Sequence, residues 1–348
     1  MEKGKIISHS RPCISDEDIS KVAEVVASGR LADSSQVGLF EKELSAYIGQ
    51  KGGIATNSGT NALHLALSSI PFNHGSEAII PSYVCIAVLN AVICAGLHPV
   101  MVDIAERGFN ISLEDIEKKL NRRTRAIIVP HMLGDPVETI DEIVALGVPV
   151  IEDCALSVGA TRFGKKLGSY SDTSIFSFYA TKMLATGQGG MVLSRSARTL
   201  EDIRDMMVYD NRKSYRKSYN FRMTDMQAAL GRSQLARLDD FIGRRRKIAS
   251  QYHYAAKGRV ELPYRPSESV FFRYVMLVDD PDSFIKEMLS QGIDCRRPVF
   301  KPLHQYFHLP ADEFPNTERM YSRSVSIPLY PALKDEEVEH IVRVLQEL

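Results

Sequence analysis

Apolar residues in this chain follow two spacings, and the spacings alternate. Over residues 15–28, Ile19, Val22, Ala23 and Val26 recur at helical intervals. Ser15 can cap that helix, Asp16, Glu17 and Asp18 suit its positive end, and Gly29 stops it. Residues 37–48 repeat the pattern, with Phe40, Leu44 and Tyr47 on one face. Short unbroken apolar runs then predict strands near 54–56, 78–80, 99–103, 125–129 and 148–153. Between them, helical spacing occupies an Ala/Leu-rich stretch after residue 60, then 85–95, 112–120 and 139–146. Strands of this kind are buried on both faces. The pattern predicts an α/β fold, with a mainly parallel sheet and helices on both faces.

After about Phe241 the alternation ends. Residues 244–257 suggest a long linking helix. An apolar run at 270–278, a helix at 281–291, a run at 297–300 and a closing helix at 334–348 read as a smaller α+β unit. The expected division is a large domain over 30–240 and a small one formed by 1–29 with 241–348. A chain of 348 residues can bury two such cores.

Composition narrows the functional classes. Forty-three basic residues balance 43 acidic ones, so no basic surplus calls for a nucleic-acid partner. The run Arg244-Arg245-Arg246-Lys247 is then a solvated helix face. The five cysteines show no CxxC spacing, which predicts reduced thiols, no metal site and a cytoplasmic protein. No leader is visible at Met1–Lys5, and no apolar run approaches the ~20 residues that span a membrane.

Three local features carry chemistry. In residues 177–190 a β-rich run delivers Lys182 to a turn, and a glycine-rich segment returns into Met191-Val192-Leu193. A partly desolvated lysine can form a Schiff base with an aldehyde. Ser58-Gly59-Thr60 ends one strand and opens a helix, whose free N–H groups suit a phosphate. Asp153 closes another strand, at the sheet edge where α/β folds bind ligands. With Ser177 as a further phosphate donor, aldehyde-binding amine, phosphate cradle and strand-end carboxylate together fit pyridoxal phosphate. Without a GxGxxG after the first strand, a nicotinamide dehydrogenase fits poorly.

At these residues the chain resembles the DegT/StrS family of pyridoxal-phosphate-dependent nucleotide-sugar aminotransferases. The resemblance is most specific at residues 177–192 and in Tyr219-Asn220-Phe221-Arg222-Met223-Thr224-Asp225, and it extends to Lys301-Pro302-Leu303-His304. Arg297-Pro298-Val299-Phe300 is similar to the perosamine-synthase branch. The resemblance implies a fold-type I transferase working as a homodimer with shared active sites. It implies Lys182 as the Schiff-base lysine and Asp153 as the pyridinium partner. Ser58, Gly59, Thr60 and Ser177 would hold phosphate, and Asn220 would reach the phosphate of the other subunit. The amino donor is expected to be glutamate, and the acceptor a nucleotide keto-sugar. Arg222, Arg297 and His304 are substrate candidates, the two arginines serving equally well as structural ion pairs.

Two positions depart from the family pattern. Cys85 stands where an aromatic ring stacks on the cofactor, and Leu156 where His or Gln is usual. They predict a loosely held cofactor unless Tyr83 or Tyr179 has moved in to stack. They also keep open a cofactor-binding paralogue with little turnover. A related sugar dehydratase using pyridoxamine phosphate carries histidine in place of the lysine, so Lys182 counts against it.

Overall fold

The structure, a computed structural model, describes residues 6–348; the expectation made at Met1–Lys5 falls outside the described residues. The chain runs α1 (Asp16–Ser28), α2 (Ser35–Ile48), β1 (Gly52–Thr56), α3 (Gly59–Ser68), β2 (Glu77–Pro81), α4 (Ile86–Ala95), β3 (His98–Val102), α5 (Leu113–Lys119) and β4 (Thr124–Pro130). It continues through α6 (Ile140–Ala145), β5 (Val150–Asp153), a small hairpin of β6 (Thr161–Arg162) and β7 (Lys165–Lys166), then β8 (Thr173–Ser177) and β9 (Gly190–Ser194). After α7 (Ala197–Met206), α8 (Asp225–Leu235) and α9 (Leu238–Ala256) come β10 (Tyr274–Leu277), α10 (Pro281–Ser290), α11 (Pro315–Arg323), β11 (Ser324–Ile327) and α12 (Asp335–Glu347).

Seven strands form one sheet in the order β1-β9-β8-β5-β4-β2-β3. The pairs β2–β3, β2–β4, β4–β5 and β5–β8 are parallel, while β9 is antiparallel to both of its neighbours. The expected mainly parallel sheet is therefore present, with one reversed strand. Alternate residues feed opposite faces. Ile54, Ile80, Ile128 and Ile151 join a core with Leu63 and Leu67 of α3 and Val88 of α4. Ala55, Ile79, Ile127 and Val129 join another with Phe40 and Leu44 of α2. Apolar on both sides, these strands could only have been continuous runs in the sequence.

A third core lies around the antiparallel pair β10–β11, with Ile248 and Tyr252 of α9 and Ile341 and Leu345 of α12. The N-terminal segment divides between units. Ile7 donates its N–H to the Gly292 carbonyl at 2.8 Å, beside this third core, whereas α1 packs against α8. The helical face read from the sequence is also rotated. Ile19 and Val26 are 60% and 53% exposed, while Val25 and Asp18 are buried. Asp18 turns inward because it accepts the Ser15 N–H at 2.9 Å and pairs with Arg237. The expected run at 297–300 forms no strand; it is a loop that follows a bridge between Arg296 and Ser326.

Candidate active site

The reversed strand β9 makes Lys182 part of a hairpin between adjacent strands. Phe178 N–H donates to the Gly189 carbonyl at 2.8 Å, Thr186 N–H to Phe178 at 2.9 Å, and Ala180 N–H to Gly187 at 3.1 Å. Gly187 takes φ +80°, a turn conformation that L side chains resist. Gly190 is required for closeness: a Cβ there would lie 2.4 Å from the Ser58 carbonyl oxygen. Likewise, a Cβ on Gly59 would lie 2.6 Å from the Ser177 Cβ. The lysine hairpin and the start of α3 are thus pressed together, and Ser177 stands beside Gly59 and Thr60.

These residues open on a cavity of about 350 Å³ beyond the carboxyl ends of the strands. Gly59, Thr60, Asp153, Ser177 and Lys182 line it together with Cys85 and Leu156. Lys182 forms no ion pair among the described residues, and its Nζ lies 5.5 Å from the centre of the Phe272 ring. Burial holds its pKa below the ordinary lysine value; Asp153 opposes that shift and Arg273 adds to it. Asp153 accepts one hydrogen bond, at Oδ1 from the Ala155 N–H at 2.9 Å. Burial pushes its pKa up, against the pull of that hydrogen bond and of Lys182.

The arrangement fits pyridoxal phosphate on its own geometry. The first N–H groups of α3, at Gly59 and Thr60, have no partner within the helix. The cradle they form with Ser177 exists only because no Cβ occupies it. One oxygen of Asp153 has no protein donor, and the lysine amine is unpaired and partly dry.

Other expected residues fall elsewhere. The Ser58 Oγ caps α3 by accepting the Asn61 N–H at 3.1 Å and does not line the cavity. Asn220 is exposed and outside it. Nor do the three substrate candidates line it. Arg222 faces Asp33 at 3.6 Å. Arg297 donates to the Tyr321 carbonyl at 2.8 Å and to Asp282 at 3.0 Å. His304 is buried between Ser82 and Glu318, at 2.6 and 2.7 Å, and stacks on Phe314. Each has a structural partner that the sequence does not display. Neither tyrosine has replaced the missing ring: Tyr83 is fully buried near Phe109, and Tyr179 does not line the cavity.

Sequence reasoning missed His131, Phe272, Arg273, Phe300 and Tyr306, all of which line the site. For Arg273 a signal existed, since a cation inside the apolar run 270–278 is out of pattern. A more voluminous cleft of about 720 Å³ lies between α1, α2 and α8. It is lined by the paired Glu43 and Arg232 and lies away from the strand ends.

The profile of the DegT/DnrJ/EryC1/StrS aminotransferase family matches residues 12–346. The spore coat polysaccharide biosynthesis protein SpsC of Bacillus subtilis is 32% identical, with 100% of this chain and 98% of that protein covered. The GDP-perosamine synthase of Caulobacter vibrioides is 33% identical, with 89% of each chain covered. Among solved structures, DesV of S. venezuelae, in complex with a ketimine intermediate, superposes with a TM-score of 0.89 at 29% identity. The match covers 95% of this chain and 94% of that one.

Proposed function

Because the chain belongs to the DegT/DnrJ/EryC1/StrS aminotransferase family, we propose that it moves an amino group from an amino acid, glutamate first, to the keto group of a nucleotide-linked deoxy sugar. Pyridoxal phosphate is the cofactor of this aminotransferase. The observation that carries the reading is one cavity holding an unpaired, partly dry lysine between a glycine-built phosphate cradle and a strand-end carboxylate. When bound, the cofactor supplies an aldehyde for the lysine and an electron sink for the carbon that loses its proton.

The chain's own groups do the rest. Gly59, Thr60 and Ser177 hold the phosphate through N–H and hydroxyl donors. Asp153, ionised, would accept a hydrogen bond from the ring nitrogen and hold its proton there. Lys182 would hold the cofactor's aldehyde through its amine, and the free amine would take up and return a proton at Nζ. A lowered pKa serves both tasks, because a larger share of the amine is neutral near pH 7.

In the same reading the enzyme is a homodimer. Asn220, exposed and outside its own cavity, would serve the partner's phosphate. Exposed Ile14, Ile19, Val26 and Leu31 supply apolar surface for such a contact. No helix among the described residues is long and apolar enough to cross a membrane. Exposed free thiols at Cys85 and Cys94 suit a reducing cytoplasm. Acceptors related to those of the GDP-perosamine synthases come first, given the 33% identity.

The test is a screen of nucleotide keto-sugars with glutamate, read by mass, beside Lys182→Ala. The wild type gains the amino product, and the variant loses both the product and the visible absorption band of the bound cofactor. A variant that keeps a borohydride-reducible adduct removes Lys182 from its role. A wild type that transfers nitrogen from no amino acid to any keto-sugar overturns the function.

A further inference from the structure

Three cations gather around one phenyl ring at the base of the site. Phe272 has the Lys182 Nζ 5.5 Å from its centre, the Arg273 Cζ at 4.7 Å and the Arg245 Cζ at 6.0 Å. Arg245 is occupied, donating to the Phe271, Phe272 and Leu329 carbonyls. Arg273 is not: among the described residues its guanidinium has no ion pair and no hydrogen bond, although it lines the cavity. Neighbouring arginines do have carboxylates, Arg265 with Asp135 at 2.6 Å and Arg296 with Asp294 at 2.8 Å. Burial, with Arg296 adding to it, pushes the Arg273 pKa down to about 10, so it remains a cation at neutral pH. A largely dry guanidinium without an anion is costly, and its planar fork matches a carboxylate.

We propose that Arg273 binds the α-carboxylate of the amino donor, which makes the enzyme selective for amino acids over simple amines. This rests on the aminotransferase reading above. An amino acid that presents its nitrogen at Lys182 carries its carboxylate one carbon away, so the anchor must stand beside the lysine. Arg273 does so: both side chains line the same cavity and both lie against the Phe272 ring. The cofactor's phosphate already has the neutral donors of the Ser177 cradle on the sheet side. The acceptor's diphosphate would meet the open rim, where Phe300 is 86% exposed and Lys301 lies over Tyr306.

The experiment compares wild type, Arg273→Lys and Arg273→Gln, each with cofactor bound. Calorimetry measures the binding of glutarate, a dicarboxylate that cannot react, and stopped-flow absorbance measures the half-reaction with glutamate. Arg273→Gln should lose glutarate binding and raise the glutamate KM about a hundredfold, with cofactor affinity unchanged. Arg273→Lys should lie between, and added guanidinium should restore part of the glutamine variant's rate. Glutarate affinity and glutamate KM within about threefold of wild type in both variants would overturn the assignment. Weakened cofactor with unaltered donor binding would also overturn it, by assigning the guanidinium to the phosphate. A wild type that binds glutarate through Arg273 yet transfers from no amino acid sinks the aminotransferase reading and leaves the carboxylate site standing.

Discussion

Glu152 and Asp153 are consecutive at the end of β5 and point to opposite faces of the sheet. Both carboxyl groups are buried, yet their surroundings push them apart. Glu152 accepts the His131 Nε2–H at 3.1 Å, the Gly168 N–H at 2.8 Å, and the Ser171 N–H and hydroxyl at 2.7 and 3.1 Å. Burial alone would raise its pKa, but these donors outweigh it and hold the carboxyl below its ordinary range. Asp153 has one donor, and there burial wins. A saturated carboxylate has nothing left to offer a ligand and serves the fold. An under-satisfied one facing a cavity costs stability until a ligand supplies the missing donor.

Four substitutions at three positions test that contrast. The largest effect is expected from Asp153→Asn, which should cut turnover at least about a hundredfold, because the amide holds no charge opposite the ring nitrogen. The same change should raise the melting temperature of the cofactor-free protein by a few degrees. The sign follows from linkage. A carboxyl with a raised folded pKa keeps its proton longer when folded, so the native state loses stability as pH rises from the ordinary carboxylate range through that pKa. The asparagine variant should lack this loss, and near-normal turnover would remove Asp153 from the site.

Glu152→Gln should do the opposite, lowering stability by about 3–5 kcal/mol in urea melts while turnover per folded molecule stays near wild type. Its folded pKa is depressed, so its contribution is present above the unfolded value and is lost as pH falls through the folded one. A Glu152→Gln enzyme as stable as wild type breaks the contrast. The smallest effect belongs to Cys85, on the cavity side. Cys85→Phe and Cys85→Tyr should tighten cofactor binding by about 0.5–1.5 kcal/mol, up to roughly tenfold in Kd. Weaker binding in both would show that the open face is already filled.

What the sequence revealed followed the same division. The helix opening at Gly59-Thr60, the strand-end Asp153 and the lysine hairpin are each built from contiguous residues, so spacing alone exposes them; that Ser177 closes the cradle against Gly59 is supplied by the fold. Phe300 and Tyr306 reach the cavity from a distant part of the chain, and no local pattern says that they will; Arg273 is out of pattern in its apolar run, but nothing local says which cavity it enters. Arg222, Arg297 and His304 show the converse failure. A charged or polar side chain looks available until the fold supplies Asp33, Asp282 or Glu318. On α1, Asp18 at an inward position overrode the apolar periodicity, because its cap and Arg237 satisfy it there.

The reversed strand β9 has a consequence for time. The two legs of the lysine loop continue the paired strands β8 and β9 and are tied to each other by hydrogen bonds from Phe178, Ala180 and Thr186. The backbone at Lys182 therefore has little freedom to drift, and repositioning the amine falls to the torsions of one side chain. Rotamer changes of accessible side chains occupy picoseconds to nanoseconds, whereas loop rearrangements extend to microseconds. An enzyme turning over many times more slowly than either spends almost none of its cycle waiting for this lysine to arrive.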